Sequence, residues 1–264
     1  MIKTIDHIII HTPTPQKTLS EMEDAFGIKA YVPLRDYGYF QSAMIRFANV
    51  DIEILKMGEK EDFVPYLYGI AFEPTKSVWQ TIDVLEKEQI SHSLPSKTTV
   101  SYDDISLSWS AITLDKLLDN AIKVPCGNGY MYANNWLGKS MARLTDKLMK
   151  VDTIRKAVLK DVGRGMVFFC VYEPYPKKER KMASKALMDS DGGKYKIAKV
   201  QSIVIKRDKQ HSTWDKLSLF QDENSAQIEF ETSEVNKISH VVLKSSEDYH
   251  DKEIMIGDVR FVLE

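Results

Sequence analysis

The sequence has few of the residues and motifs that would assign a function directly. It contains 2 cysteines in 264 residues, and Cys126 and Cys170 form neither a CxxC pair, a zinc-ligand pattern nor a disulfide framework. No apolar stretch approaches the ~20 residues that span a bilayer, and the N-terminus lacks the features of a secretory signal. GxGxxG, Walker and GxSxG motifs are absent. We therefore predict a soluble, cytoplasmic protein with no nucleotide cofactor and no membrane partner.

The composition is that of a folded protein with an uneven distribution of charge. Hydrophobic residues make up 43% of the chain, with 9 prolines and 12 glycines, which excludes intrinsic disorder as the main state. The net charge of −2 divides into −6 for residues 1–138, +9 for 139–199 and −5 for 200–264. The basic segment has no nucleic-acid motif, so nucleic acid is not the expected partner. It is interpreted as an anion-binding face or as a surface that docks on its acidic flanks.

Two segments of the chain resemble each other. Residues 6–14 (DHIIIHTPT) and 67–75 (LYGIAFEPT) are both apolar strands that end in an X-Pro-Thr turn. Each is followed by apolar residues at three- and four-residue spacing, which predicts an amphipathic helix. Three strand-like stretches follow each helix. In the first copy they are residues 29–34, 39–47 and 50–57, and in the second they are residues 93–100, 105–114 and 129–136.

A third, more degenerate copy is predicted near the end of the chain, with strands at 199–206, 226–231, 237–244 and 254–263 and a short helix around Trp214. The basic segment between the second and third copies predicts helices over 140–160 and 177–188 and a buried strand at 166–172. The fold class is therefore α+β, built from strand–helix–three-strand (βαβββ) modules. We predict a paired domain over 1–138, a basic, mainly helical insertion over 139–199, and a partial third module over 200–264.

The ordered set of these segments resembles a known family. The segments IDHIIIHTP, VDIEILKMG, YGIAFEPTKSVWQTIDVLEKEQI, LSWSAITL and IGDVRFVLE are similar to the glyoxalase-like branch of the vicinal oxygen chelate (glyoxalase/bleomycin resistance/dioxygenase) superfamily. The resemblance covers roughly residues 4–138 and 197–264. It implies two modules paired into an open barrel around a pocket, with divalent-metal ligands from the first and last strands of each module.

Carried onto this sequence, the resemblance implies His7 and Glu53 as metal ligands from the first module. Tyr68 stands at the position that matches His7 in the second module, and Asn134 or Asn135 stands where an acidic residue is usual. Tyrosine is a poor ligand and asparagine a weak, neutral one. Because only two strong ligands are present, the sequence leaves open whether the protein binds one divalent metal ion.

The residues themselves leave several roles open. Strand alternation places His7 on one face with Ile5, Ile9 and His11, either in a pocket or as a half-buried histidine bonded to backbone. His11, at the end of the strand, is expected to be exposed or to stabilise the turn.

Glu53, flanked by apolar residues, is a metal ligand, a general base or one half of a salt bridge to Arg46 or Lys56. Arg46 is in turn an anion clamp or a charge on a solvent-facing strand edge. Tyr68, Asn134, Asn135 and Trp136 either bind the ligand or belong to the core.

The leading functional hypothesis is a small-molecule lyase, isomerase or dioxygenase-like enzyme, with His7 and Glu53 as metal ligands or as acid–base groups. The alternative is a non-catalytic protein that sequesters a small organic ligand in the same cavity. A third hypothesis is a structural module that self-associates through its basic insertion. The sequence leaves open whether the protein is an enzyme, and a homodimer is the expected assembly.

Overall fold

The computed structural model describes most of the chain outside the centre of the basic segment. The described residues are 2–58, 62–115, 117, 118, 140, 144, 147, 165–208, 212–218, 225–249 and 252–264. Within them the chain forms thirteen β-strands and four α-helices in two sheets. The α+β class predicted from the sequence is confirmed.

The larger sheet has eight strands and contains two copies of the same unit. The first copy is β1 (Ile2–His11), α1 (Pro15–Phe26), β2 (Ala30–Asp36), β3 (Phe40–Phe47) and β4 (Val50–Met57). The second is β5 (Tyr66–Pro74), α2 (Val78–Lys87), β6 (Ser96–Tyr102), β7 (Ile105–Leu114) and β8 (Met166–Tyr172). The strand order is β2-β3-β4-β1-β5-β8-β7-β6. Both copies pair their first strand in parallel with their last strand, and β1 and β5 join the copies antiparallel at the centre.

Local sequence explains both helices of this sheet. Helix α1 has Pro15 in its first turn, where the missing N–H costs nothing, and ends at Gly27, whose φ of 67° suits a left-handed cap. Helix α2 starts with a capping box between Ser77 and Gln80. Their buried residues recur at three- and four-residue spacing, so each helix packs one apolar face onto the sheet.

A third helix, α3 (Lys177–Ser190), holds the two edges of this sheet close together. Tyr31 and Val32 of β2, Tyr102 at the end of β6 and Ile105 of β7 share one apolar cluster with Ala183 of α3. The outer strands of both copies therefore meet across this helix. The eight strands form a nearly closed, curled sheet with α3 over its open side.

The smaller sheet has five strands and repeats part of the same pattern. After a 3₁₀ turn (Gly193–Tyr195), the chain forms β9 (Ile197–Arg207), helix α4 (Ser212–Ser218), β10 (Gln227–Thr232), β11 (Lys237–Ser245), β12 (Lys252–Ile256) and β13 (Val259–Leu263). The order β10-β9-β11-β13-β12 and the strand directions match those of β4-β1-β5-β8-β7. The third copy expected from the sequence is therefore present in β9, α4 and β10, whereas β11 to β13, which were assigned to the same copy, match part of a fourth. The stretch 254–263, expected to be strand-like with a turn or bulge at Gly257-Asp258, is a hairpin that turns at these two residues.

The main apolar core joins the convex face of the large sheet to α1, α2 and the small sheet. Side chains alternate along each strand, so every second residue of the central strands points into this core. Its members from the three parts are Ile8, Ile10, Ile52, Ile54, Ile70, Phe72, Met22, Phe26, Ile82, Leu85, Ile203, Val241 and Phe261. The opposite, concave face of the large sheet is left to form a cavity under α3.

One strand differs from the sequence prediction. The last strand of the second copy was placed at 129–136, but the strand that pairs with β5 and β7 is β8, at Met166–Tyr172. The reason is that a long segment separates β7 from β8, and β8 itself was assigned to the basic insertion. Residues 129–136 lie outside the described residues, as does most of the helix expected over 140–160. How the chain divides into domains stays a prediction.

Among the described helices, none has the length and apolar character to cross a membrane.

Candidate active site

The concave face of the eight-stranded sheet encloses a cavity of about 100 Å³ beneath α3. It is lined by strands from both copies and by one residue of the helix. Most of its wall is apolar or aromatic, and the polar side chains are concentrated on β1, β3, β4 and α3. The lining residues are His7, Val32, Tyr37, Phe40, Ser42, Met44, Glu53, Val100, Tyr102, Leu107, Trp109, Phe168, Cys170, Tyr172 and Glu179.

A β-bulge in β1 turns two consecutive polar residues, Asp6 and His7, to the cavity side of the sheet, and His7 lines the cavity itself. Ile5 lies opposite Phe72 and His7 lies opposite Ala71, so Asp6 is an extra residue in the ladder. Asp6 and His7 can therefore interact directly, with His7 Nδ1 2.8 Å from Asp6 Oδ2. The bulge also corrects the predicted face, because Ile5 belongs to the convex core while His7 faces the cavity.

Glu53 of β4 completes a row of three acid–base groups. One of its oxygens, Oε1, accepts a hydrogen bond of 2.6 Å from the Ser42 hydroxyl on β3. The other, Oε2, lies 3.4 Å from His7 Nε2. The imidazole is thus held between the carboxylates of Asp6 and Glu53, and the salt bridges to Arg46 or Lys56 considered from the sequence are not how Glu53 is satisfied.

Arg180 of α3 reaches under the helix to three carboxylates. Its guanidinium pairs with Asp6 Oδ1, with Asp51 Oδ2 at 3.3 Å and with Glu73 Oε2 at 3.2 Å. The Tyr172 hydroxyl also donates to Asp6 Oδ2, at 2.8 Å. Asp6 is therefore fully hydrogen-bonded, and helix α3 is tied to the floor of the cavity by charge as well as by apolar packing.

The protonation states follow from this network. Burial raises the pKa of Asp6, but the hydrogen bond from His7 and the charge of Arg180 outweigh it and hold that pKa well below its usual range. Burial lowers the pKa of His7, but the hydrogen bond to Asp6 and the charges of Asp6 and Glu53 raise it above its ordinary value. An ionised Asp6 beside a His7 that favours its charged form is the expected state near neutral pH.

Glu179 is a second carboxyl group at the cavity and comes from α3. The residue is 6% exposed, and its Oε2 is buried with no hydrogen-bond partner among the described residues. Burial and the charge of Asp6 raise its pKa to about 7. The group can therefore be neutral or charged at neutral pH, which is the range in which a general acid or base is most effective.

The structure brings some of the predicted site residues together and separates others. His7 and Glu53 meet at the cavity, whereas Arg46 pairs with Asp51 Oδ2 at 3.1 Å and bonds the Ala48 carbonyl, outside the cavity lining. Tyr68 is fully buried in the neighbouring apolar cluster on the concave face. The candidates Asn134, Asn135 and Trp136 lie outside the described residues.

His11 was expected to be exposed or to stabilise the turn, and the first of these two alternatives is wrong. It is 2% exposed and stacks on Phe63 with ring centroids 4.7 Å apart. Its ring nitrogens lie 3.3 Å from the Tyr66 hydroxyl and 3.3 Å from the Met57 carbonyl. Burial lowers its pKa to about 4, so it is a neutral part of an aromatic cluster. The loop before β5, which supplies Phe63, covers the strand end.

Five residues of the site were not predicted from the sequence: Asp6, Ser42, Tyr172, Glu179 and Arg180. Asp6 is adjacent to His7, but strict alternation assigns it to the opposite face, and the bulge that brings it inward has no sequence signal. Glu179 and Arg180 lie in a helix that only the tertiary structure places over the cavity. The adjacent charges of Glu179 and Arg180 in an otherwise amphipathic helix were the one sequence signal that could have indicated a site.

Among the described residues, the donor set does not fit the divalent ion that the resemblance implies. His7 and Glu53 are good ligands, but both His7 nitrogens face carboxylates. The residues that β5 and β8 contribute around the cavity include Tyr68, Ala71, Phe168, Cys170 and Tyr172, which carry no imidazole or carboxylate. Glu73 of β5 is a carboxylate on the same side, but it pairs with Lys3 and Arg180 and does not line the cavity. Burial raises the pKa of the Cys170 thiol, so it stays protonated. In the described parts of the chain, no group of three His, Cys, Asp or Glu side chains could hold a metal ion.

Comparison by sequence finds no relative: no family model and no curated protein matches this chain. Comparison by structure does. A hypothetical protein from Staphylococcus aureus is 14% identical, with a TM-score of 0.60 over 100% of this chain and 99% of that chain. The E323L mutant of homoprotocatechuate 2,3-dioxygenase from Brevibacterium fuscum is 10% identical, with a TM-score of 0.51 over 99% of this chain and 71% of that chain.

The chain has the vicinal oxygen chelate fold. Two βαβββ units paired through their first strands, with a curled sheet around one cavity, are its architecture here. At these levels of identity the similarity establishes the vicinal oxygen chelate fold and leaves the chemistry to the residues of the cavity.

Proposed function

We propose that this protein is an enzyme that moves a proton on a small organic molecule, as an isomerase or lyase does, with Glu53 as the acid–base group. The observation that carries the proposal is the placement of its carboxylate. Glu53 lines the cavity, accepts a hydrogen bond from Ser42 and faces the His7 imidazole at 3.4 Å. A general base must be within reach of a ligand and have a partner that controls its proton.

His7 and Asp6 would hold the Glu53 carboxylate in position. The ionised Asp6 holds the proton on His7 Nδ1, which leaves Nε2 directed at Glu53. In its charged form His7 presents an Nε2–H to Glu53 Oε2, so it would hold the carboxylate in place as Glu53 takes the proton from the ligand. This is the base-plus-orienting-partner arrangement that recurs in acid–base sites on unrelated folds.

The proposed step takes a proton from a ligand carbon or oxygen to Glu53, and the electron pair of the broken bond stays on the ligand. Glu179 also lines the cavity and, with its pKa raised to about 7, can supply a proton to the ligand. In an isomerisation, Glu53 returns its proton to another ligand atom and Glu179 takes its own proton back, so the ligand keeps the same number of protons. In a lyase reaction, the leaving group departs with the electron pair and the proton from Glu179, and Glu53 releases its proton to solvent. A dioxygenase reaction would need a metal with three protein ligands, which the described donor set does not provide.

The cavity also limits the size of the ligand. Its volume of about 100 Å³ is below the ~300 Å³ at which pockets for drug-sized molecules begin. The expected substrate is therefore a molecule of a few heavy atoms, or the small reacting end of a longer one.

The proposal is tested by hydrogen–deuterium exchange. A panel of small carbonyl and hydroxyl compounds in D₂O, followed by proton NMR, would reveal any C–H that the protein exchanges. Glu53→Gln should slow that exchange by about 10²-fold to 10⁴-fold, the usual contribution of a general base. Glu229→Gln is the matched control, because Glu229 pairs with β9 in the small sheet as Glu53 pairs with β1, yet is exposed.

Exchange that persists in Glu53→Gln would contradict the assignment of the base. Elemental analysis of protein purified without chelators gives an independent check on the metal-free version. Near-stoichiometric metal that is lost in both His7→Ala and Glu53→Gln would overturn it.

A non-catalytic binding protein is the second candidate, and the filling of the concave face favours it. Tyr68, Phe168 and Cys170 present bulky or inert groups to the interior, as a pocket built only to hold a ligand would. Ligands that raise the melting temperature without any exchange or turnover across the panel would support binding over catalysis. Assembly as a homodimer and a cytoplasmic location also stay predictions, and gel filtration with light scattering tests the first.

A further inference from the structure

We propose that the cavity binds a small organic cation of the alkylammonium class, held between the Glu179 carboxylate and a ring of aromatic side chains. This deepens the proposed function by naming the ligand class of the same cavity. It concerns binding, so it can be tested without any turnover.

The aromatic content of the wall is the first argument. Six of the lining residues carry aromatic side chains, and they come from strands on both sides of the curled sheet as well as from the turn after β2: Tyr37, Phe40, Tyr102, Trp109, Phe168 and Tyr172. Aromatic faces attract cations electrostatically, with tryptophan the strongest, and several rings around one space form the cage that holds ammonium groups. The Arg180 guanidinium, 5.4 Å from the Tyr172 ring centroid, is already one cation held in this way.

The charge balance around the cavity is the second argument. Three carboxylates beneath α3 have cationic partners from the protein: Asp6 pairs with Arg180 and His7, Asp51 with Arg46 and Arg180, and Glu73 with Lys3 and Arg180. Glu53 faces His7. These groups compensate one another, so they do not require a charged ligand.

Glu179 is different from the other carboxyl groups. Among the described residues it has no ion pair, and its Oε2 is buried without a hydrogen-bond partner although the residue lines the cavity. A buried carboxyl group without a partner costs free energy, and its raised pKa reflects that cost. A cation in the cavity would compensate the charge of the Glu179 carboxylate, whereas an anion would meet the carboxyl groups of Glu53 and Glu179.

One chemical group complements both the aromatic wall and the Glu179 carboxylate. An alkylammonium ion has apolar methyl or methylene groups that fit against aromatic rings and a positive charge that pairs with Glu179. A metal ion would have the charge without the apolar surface, and a neutral ligand would have the surface without the charge.

The test compares three probes of nearly the same shape and different charge: tetramethylammonium, tert-butanol and pivalate. Binding to the full chain is measured by isothermal titration calorimetry and by NMR line broadening of the probes. Tetramethylammonium should bind at least about tenfold more tightly than tert-butanol, and pivalate should bind more weakly than either. Equal affinities, a preference for pivalate, or no binding of tetramethylammonium would overturn the proposal.

Two variants locate the preference. Glu179→Gln keeps the shape of the side chain and should reduce the preference for tetramethylammonium to no more than about threefold, while Trp109→Leu should weaken it through the lost ring. Glu173→Gln, an exposed residue just before α3, is the matched control and should keep the full preference. A preference unchanged in Glu179→Gln would refute the role of this carboxylate. Loss of proton exchange in Glu53→Gln alone would bear on the proposed catalysis and leave the ligand class unaffected.

Discussion

Replacing Arg180 with methionine should destabilise the protein strongly, because one side chain compensates three carboxylates. Arg180 pairs with Asp6, Asp51 and Glu73, and Asp6 and Asp51 are each 2% exposed at the side chain. Methionine retains most of the apolar stem but leaves these charges with weaker partners. Breaking a buried pair by removing one member is far more costly than never having built it.

The size of the effect follows from burial. Removal of one partner from a buried ion pair typically costs 3–5 kcal/mol, and the Arg180 side chain is 21% exposed, so partial solvent screening favours the lower end, about 3 kcal/mol. For a chain of this length that corresponds to a fall in melting temperature of about 6–12 °C. Because Arg180 lowers the pKa of Asp6 below its ordinary 3.8, this stability is present above that value and is lost as the pH falls. The difference from the natural protein should therefore shrink in acid.

Urea unfolding followed by circular dichroism measures the loss, at neutral pH and in acid. Lys181→Met, an exposed cation on the same helix, is the control and should change stability by less than about 0.5 kcal/mol. Adding Asp51→Asn to Arg180→Met should cost less than the sum of the single changes, since it removes one uncompensated carboxylate. A loss no larger than that of Lys181→Met, or strictly additive effects, would refute the view that charge ties α3 to the cavity floor.

Two further changes test the strand end and the strand pairing. Burial of His11 lowers its pKa from the ordinary 6.5 to about 4. The neutral ring therefore stabilises the fold above pH 6.5, and about 3 kcal/mol of unfolding free energy is lost as the pH falls toward 4. His11→Phe should flatten that pH dependence in urea unfolding, and an unchanged slope would contradict the assignment. At Gly69 an added Cβ would lie 2.3 Å from the Met166 carbonyl oxygen. Gly69→Ala should therefore lower the free energy of unfolding by about 1–3 kcal/mol and increase amide hydrogen exchange in β8. A substitution with no effect would argue against the pairing of β5 with β8.

His7 and Glu53, which both line the cavity, could be selected as candidates from the sequence, but their surroundings could not be predicted. His7 and Glu53 are polar residues inside apolar strands, and burial of such residues requires a reason that local sequence can reveal. Asp6 could not be assigned to the same face, because the bulge that turns it inward depends on how β1 and β5 pair. Glu179 and Arg180 could not be predicted as site residues for a similar reason, because the sequence of a basic helix does not indicate which cavity that helix covers.

The fold likewise has features that local sequence predicts and features that it does not. The order of strands and helices, the amphipathic faces of α1 and α2 and the repetition of the unit follow from periodicity and turn residues, which act over a few neighbours. The identity of the last strand in the second copy does not. Residues 166–172 and 129–136 are both apolar enough to be strands, and among the described residues it is β8 that lies between β5 and β7 in the sheet. Local sequence determines which segments form strands and helices, while the choice of partner across a long insertion is decided by packing and backbone hydrogen bonds between residues far apart in the chain.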